Sequence, residues 1–288
     1  MNVNYDEYNS PLNIWKYYST IRKKNYVNSY ITTLTAVYLI LENKIPIGEI
    51  RKYIYWYLDR INTSDHNRIT GTIYDFEITL DGKEKPLRIY DSADGYAGLF
   101  LTLSTLYCIR KQDYSLIKNY IDKYLDIAYL IVHLKNSKGL TISDPQNHQN
   151  YLMNNLEAYG GLLSIIYALK KINHNDFNYY YAHVISFNRD IWQNFYDFKT
   201  GYFYWAITDK TYHQINPDNI YPDVYSQIFP VAYGLVYNKS EIRNRLINFI
   251  SEKLDPLKLP KEQYFMYRSM YLLEKNFAYI SQKFLPEL

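Results

Sequence analysis

Asp91-Ser-Ala-Asp94-Gly-Tyr96-Ala-Gly-Leu-Phe100 is the stretch on which the fold turns. It opens on polar residues at capping spacing, continues through Gly and Ala, and runs on into an apolar segment that ends near Arg110. Three further segments align with it around a tyrosine: Asn28-Ser-Tyr30-Ile-Thr-Thr-Leu, Glu157-Ala-Tyr159-Gly-Gly-Leu-Leu and Asp223-Val-Tyr225-Ser-Gln-Ile-Phe. Each has a carboxylate or Asn two residues before the Tyr, and the tyrosines are spaced by 63 to 66 residues. That interval is what one pair of helices with its loops consumes. A weaker fifth copy is Glu262-Gln-Tyr264-Phe-Met.

More polar, amphipathic helices are expected between the copies, over 47–61, 114–135, 176–198 and 239–254, with another near 12–24. Apolar helices with small residues suit an inner ring, and charged faces such as that of Lys118, Asp122 and Lys123 suit an outer one. The expectation is all-α: a single α/α toroid domain over 1–288, of 10–12 helices, complete or two helices short of six pairs. Strand-like alternation occurs only at Ile69 to Tyr90, with the turn dipeptide Asp81-Gly82, and at Thr200 to Gln214, around Asp209-Lys210. Both read as hairpins inserted between helices. Pro230 is expected to kink or to start the fourth inner helix.

The 288 residues carry a formal net charge of only +3, with Lys and Arg scattered among acids, so no nucleic-acid footprint is expected. Cys108 is the single cysteine, which leaves no internal disulfide or thiolate zinc site, and its setting mid-helix among Leu and Tyr reads as core. No segment has the length and apolarity of a membrane span and no leader pattern opens the chain, so a soluble protein is expected, cytoplasmic or exported after loss of a signal. None of the six His lies in a paired helical ligand pattern, and Asp144-Pro145-Gln146-Asn147-His148 reads as a loop before a helix. Nucleotide loops and serine-hydrolase elbows are missing, so neither metal nor cofactor is expected.

The 36 Tyr fit two readings. One is the composition of an AT-rich gene, since Asn, Ile and Lys are abundant as well. The other is a wet surface of flat apolar faces with hydroxyls, suited to sugar rings. The acids Asp91, Asp94, Glu157 and Asp223 all fall at expected helix starts, where capping alone accounts for them. If the inner helices run parallel, however, these acids meet at one mouth, where several carboxylates are costly unless some take up protons. Tyr90, Tyr96, Tyr159, Tyr221, Tyr225 and Trp205 would then wall the mouth, and Asn155 would contact the same ligand. Such a site matches glycoside cleavage, which needs two carboxyls flanking the bond.

Ile89-Tyr-Asp-Ser-Ala-Asp-Gly-Tyr-Ala-Gly-Leu-Phe, Tyr151-Leu-Met-Asn-Asn-Leu-Glu-Ala-Tyr-Gly-Gly-Leu and Tyr221-Pro-Asp-Val-Tyr-Ser-Gln-Ile-Phe-Pro resemble motifs of bacterial six-hairpin glycosidase-like proteins, over roughly half the chain. A distant similarity to family 8 glycoside hydrolases goes with it. The resemblance implies an α/α toroid acting on or binding polysaccharide, with a carbohydrate partner and no cofactor. Carried over by position, Glu157 is expected as the protonated general acid and Asp94 or Asp223 as base or nucleophile, with Asp91 beside them. Asn154-Asn155 stands where such sequences read Asp-Asn, and the Glu-Gly-Gln acid motif of family 8 endoglucanases is missing. The expected activity is therefore glycoside hydrolysis of a bacterial polysaccharide or oligosaccharide, with non-catalytic glycan binding or polysaccharide assembly on the same scaffold as the alternative. A sugar epimerase would want a His pair in the funnel and an isoprenoid site an apolar one.

Overall fold

The computed structural model describes residues 14, 26–79, 81, 83–143, 145–146, 148–208 and 211–285, and of 261, 262 and 265 the backbone only. Among these the protein is mostly helical, with ten α-helices and small antiparallel sheets. The helices are α1 (Ser29–Leu41), α2 (Ile47–Leu58), α3 (Ala93–Lys111), α4 (Ser115–Asn119), α5 (Ile121–His133), α6 (Leu152–Lys171), α7 (Phe177–Phe195), α8 (Ile228–Ala232), α9 (Ser240–Lys253) and α10 (Lys261–Phe284). The helix expected near 12–24 lies outside the described residues except for Ile14, which is helical and buried.

Burial separates most helices into the two kinds expected, but α10, which opens on the fifth copy, is one-sided, with Tyr271 and Tyr279 exposed. In α3 every residue from Ala93 to Cys108 is buried, and α6 is buried on all sides between Asn155 and Leu169. An apolar helix without a polar face needs neighbours all round. By contrast α5 buries one stripe, Tyr124, Ile127, Ala128, Leu130 and Ile131, and α7 likewise buries Tyr180, Val184, Phe187, Asn188, Ile191 and Phe195. Neighbours follow: α1 packs on α3, α3 on α6, α6 on α8, α8 on α10, and α10 on α1. The amphipathic helices lie against these, α2 and α5 on α3, α7 on α6, and α9 on α8.

The α3–α6 crossing is the tightest of these contacts. A Cβ on Gly161 would sit 2.4 Å from Gly98 Cα, and one on Gly98 would sit 2.2 Å from the Glu157 carbonyl oxygen. Only two glycines let the backbones approach so closely. Around this crossing, Tyr57 stacks on Phe100 at 3.7 Å, tying α2 to α3. Arg110 caps the end of α1 through the Ile40 carbonyl at 2.6 Å, and Arg268 of α10 pairs with Glu42 at the same end. Cys108 is buried and burial pushes its thiol up to about 12, as a core residue requires.

The first hairpin is shorter than its sequence pattern. Phe76–Ile78 (β2) pairs with Glu84–Pro86 (β3) and, on its other side, with Tyr26–Val27 (β1). Ile69 to Ile73 stay outside the sheet, their backbone engaged elsewhere: the Ile69 amide donates to Asp65 Oδ1 at 2.8 Å, and Asn62 accepts from the Gly71 amide at 2.9 Å and donates to the Thr72 carbonyl at 2.7 Å. The second pattern splits. Asn150–Tyr151 (β4) pairs with Ala206–Thr208 (β7), which pairs with Thr211–His213 (β8), while Tyr202–Phe203 (β6) pairs back onto Tyr196–Asp197 (β5). Gly82, Asp209 and Lys210 of the expected turns lie outside the described residues, as do Asp144 and Asn147. Because β1 leads into α1 and β4 into α6, both three-stranded sheets sit at the N-terminal ends of inner helices.

The fourth copy is broken ahead of its helix, which starts two residues before Pro230, in line with the start expected there. In place of one helix through Tyr225 there is a wide turn at Ile220–Val224, then the five-residue α8 with Pro230 inside it. Pro222 and Pro230 each lack the N–H that a continuous helix would need, so the ladder cannot run through both. The fifth copy, in contrast, opens the single 24-residue helix α10.

Candidate active site

Glu157 is the sixth residue of α6, and its side chain faces the first turn of α3. Gly95 makes the room: a Cβ there would lie 2.8 Å from Glu157 Oε2 and 2.8 Å from Ser92 Oγ. The carboxyl is almost wholly buried, at 1% exposure, and Oε1 accepts a 2.6 Å hydrogen bond from the Tyr30 hydroxyl. Burial holds Glu157 well above the usual carboxylate range, the charges of Asp94 and Asp91 push the same way, and the Tyr30 bond opposes them. The carboxyl is thereby biased toward its neutral form.

Asp94, on the first turn of α3, is fully buried and fully occupied. Its Oδ1 accepts from Ser92 Oγ at 2.6 Å and from the Gly95 amide at 2.9 Å, and its Oδ2 accepts from Thr141 Oγ1 at 2.6 Å. Burial raises its pKa, with these bonds opposing. Ser92, not Asp94, caps the helix. Asn155 holds the other side of the same loop, accepting from the Thr141 amide at 2.8 Å and donating to the carbonyls of Thr141 and Tyr151. Asp94 and Asn155 thus pin residue 141 between the starts of α3 and α6.

Asp91 is exposed, and its charge is felt at Glu157, Tyr221, Tyr96 and Tyr26. It is the accessible acid of the group. Asp223 is buried in its own loop, where Oδ1 accepts from the Asn216 amide and Oδ2 from Asn219 Nδ2, both at 2.6 Å. Both oxygens serve to fold residues 216–223.

The aromatic residues divide in the same way. Tyr221, 47% exposed, senses the charges of Glu157 and Asp91 and tilts against Tyr225 at 5.8 Å. Trp205 is half-buried and stacks on Tyr151 at 6.3 Å, and Tyr90 stacks on Tyr74 at 6.2 Å, with His66 beyond. Three others are interior. Tyr225 donates to the Gln263 carbonyl at 2.6 Å, Tyr159 turns toward α7 and accepts from Asn188 at 3.0 Å, and buried Tyr96 donates to Asp75. These three offer no stacking face to a ligand, because helix packing covers their rings.

Three participants were not singled out by their sequence context. Tyr30 lies in a repeat copy but carries no acid to draw notice. Asp75 accepts from Tyr26, from Asn28 Nδ2 at 2.9 Å, from the Ser29 amide at 2.9 Å and from Tyr96 at 3.2 Å, so it anchors the start of α1. Burial raises its pKa also. Tyr233 has a buried hydroxyl with no hydrogen-bond partner among the described residues, and it senses the charge of Glu157. Its ring packs on α6, where a Cβ on Gly160 would meet Tyr233 Cδ1 at 2.1 Å. No cluster of three or more His, Cys, Asp or Glu with metal-binding geometry occurs among the described residues. No helix of the described residues is long and apolar enough to cross a membrane.

No family model matches the chain, and no curated protein matches it in sequence.

Proposed function

We propose that the protein is a glycoside hydrolase built on an α/α toroid, with Glu157 as general acid and Asp91 as its partner carboxylate. Helix contacts that run from α1 through α3, α6, α8 and α10 back to α1, with α10 also touching α6 across the ring, support the toroid. The observation that carries the chemistry is the contrast between two acids at one helix mouth. Glu157 is buried, tied to Tyr30 and biased toward its protonated form, whereas Asp91 is open to water and close enough to act on Glu157 electrostatically. A buried carboxyl biased toward its protonated form suits the acid, and an exposed carboxyl beside it suits the base. Glu157 would protonate the leaving oxygen and Asp91 would act at the anomeric carbon, with Tyr221, Tyr90 and Trp205 against the sugar faces. Asp94 and Asp223 are better read as positioning groups, since their oxygens are already engaged.

The substrate class is a bacterial polysaccharide or oligosaccharide. Release of reducing ends from a panel of such glycans is the test. Glu157→Gln and Asp91→Asn should each lower turnover by about 10²–10⁴-fold with the fold intact. Wild-type turnover in both variants would defeat the assignment. The 1% exposure of Glu157 favours a second reading, glycan binding without cleavage. Saturable oligosaccharide binding with no product over long incubation is the result that would select it.

A further inference from the structure

On the flank of the helical layer, the end of α5, the loop 134–140 and α7 enclose an open pocket of about 540 Å³. This size falls within the range of about 300–1,000 Å³ typical of small-molecule sites. Its charges are unequal: Lys135, Lys138 and Arg189 line it against the single acid Asp190. Arg189 already holds Asp190 Oδ1 at 2.9 Å, and Asp190 is packed over Gly139, where a Cβ would meet Oδ2 at 2.1 Å.

Lys135 is the residue left short. Its ammonium lies over the Phe187 ring at 4.1 Å and donates one long bond, 3.3 Å, to the His183 carbonyl. It forms no ion pair among the described residues, although an ammonium has three donors. Burial pulls it down to about 8, with Arg189 adding to the effect and Asp190 opposing it. Among the described residues, Lys138 likewise forms no ion pair, its ammonium lying over the face of Tyr212 at 5.2 Å. His183 is held below its usual value by burial and by Lys135, so it adds little charge at neutral pH. The remaining lining is amide and hydroxyl, including Gln193 and Ser186.

We propose that this pocket is a binding site for an oxyanion group, whether phosphate, sulfate or carboxylate, carried on a hydroxylated body such as a sugar. The anion would supply the ion pair that Lys135 lacks, and the amides and hydroxyls would meet the ligand's own hydroxyls. The site does not rest on the reading of Glu157. Because a bound anion favours the charged form of Lys135, affinity should fall as pH rises past the value of the free amine.

Inorganic phosphate, sulfate and glucuronate, each titrated into the full chain and followed by amide chemical shifts, test this. At least one should bind saturably, about tenfold more weakly in Lys135→Gln than in wild type. Lys135→Arg should keep most of the affinity, and Glu157→Gln should bind as wild type does. Binding should also weaken several-fold between about pH 7 and about pH 9.5. Preference for phosphate or sulfate over glucuronate would assign a phosphorylated or sulfated ligand, and the reverse a uronic acid. No saturable binding of any of the three, or unchanged affinity in Lys135→Gln, would overturn the proposal.

Discussion

The hydroxyl of Tyr30 and the carboxyl of Glu157, 127 residues apart in the chain, meet at 2.6 Å between the starts of α1 and α6. The bond joins two repeat copies across the helical layer. It also sets a balance at Glu157, since the Tyr30 hydroxyl favours the charged carboxylate while burial opposes it.

Removing the hydroxyl should tip that balance. In Tyr30→Phe the Glu157 pKa should rise further, because the one bond that lowers it is gone. The folded state should lose about 1–3 kcal/mol, the cost of leaving a buried acceptor unpaired. A carboxyl infrared band or a labelled Glu carbon, followed against pH, reads the shift. A lower pKa in the variant would contradict the account.

The same burial gives stability a pH dependence. Glu157 in the folded state holds its proton well above the ordinary value of 4.5, so the folded chain binds more protons than the unfolded chain over the interval between the two values. Its contribution is present in full at low pH and is lost as pH climbs through the folded value, by ~1.4 kcal/mol per pH unit for one proton. Glu157→Gln has no proton to lose. Urea unfolding should therefore show the variant gaining on wild type as pH rises above the ordinary carboxyl value. A gap that stays constant over that rise would be evidence against a protonated Glu157.

The helical frame was legible because its signal is repetitive. Small residues after Tyr96 and Tyr159 mark where backbones must approach, and Gly98 and Gly161 do meet as that pattern requires. The amphipathic stretches also fell close to α2, α5, α7 and α9. What one chain cannot display is the partner of each acid. Asp94, Glu157 and Asp223 look alike in sequence, yet Thr141, Tyr30 and the pair Asn216 and Asn219 give them different work. Asp75 had no local mark at all, since its four donors come from β1, the N-cap and first residue of α1, and α3. The break at Pro230 was written in the sequence as well, and α8 begins beside it.

Asp223 offers a direct contrast with Glu157. Its two oxygens hold Asn216 and Asn219, so Asp223→Ala should loosen the loop before Tyr221 and cost about 1–3 kcal/mol. Turnover per folded molecule should change far less than in Glu157→Gln. A loss of activity equal to that of Glu157→Gln, with the folded fraction matched by circular dichroism, would return Asp223 to the reacting groups.

The α3–α6 crossing makes the strongest stability prediction. In Gly98→Ala the new methyl would lie 2.2 Å from the Glu157 carbonyl oxygen, a backbone atom with no rotamer to escape into. The helices must separate along a contact in which nearly every residue is buried, at a cost of about 3 kcal/mol or more. Because the obstructed carbonyl belongs to Glu157 itself, the displacement should also draw its carboxyl from Tyr30 and change its pKa. Gly48→Ala is the control: nothing lies within 4 Å of a Cβ there, and alanine in the first turn of α2 should be neutral or stabilising by up to ~1 kcal/mol. Thermal unfolding of the two variants side by side measures the difference, and equal midpoints would mean that α3 and α6 do not cross at this glycine pair.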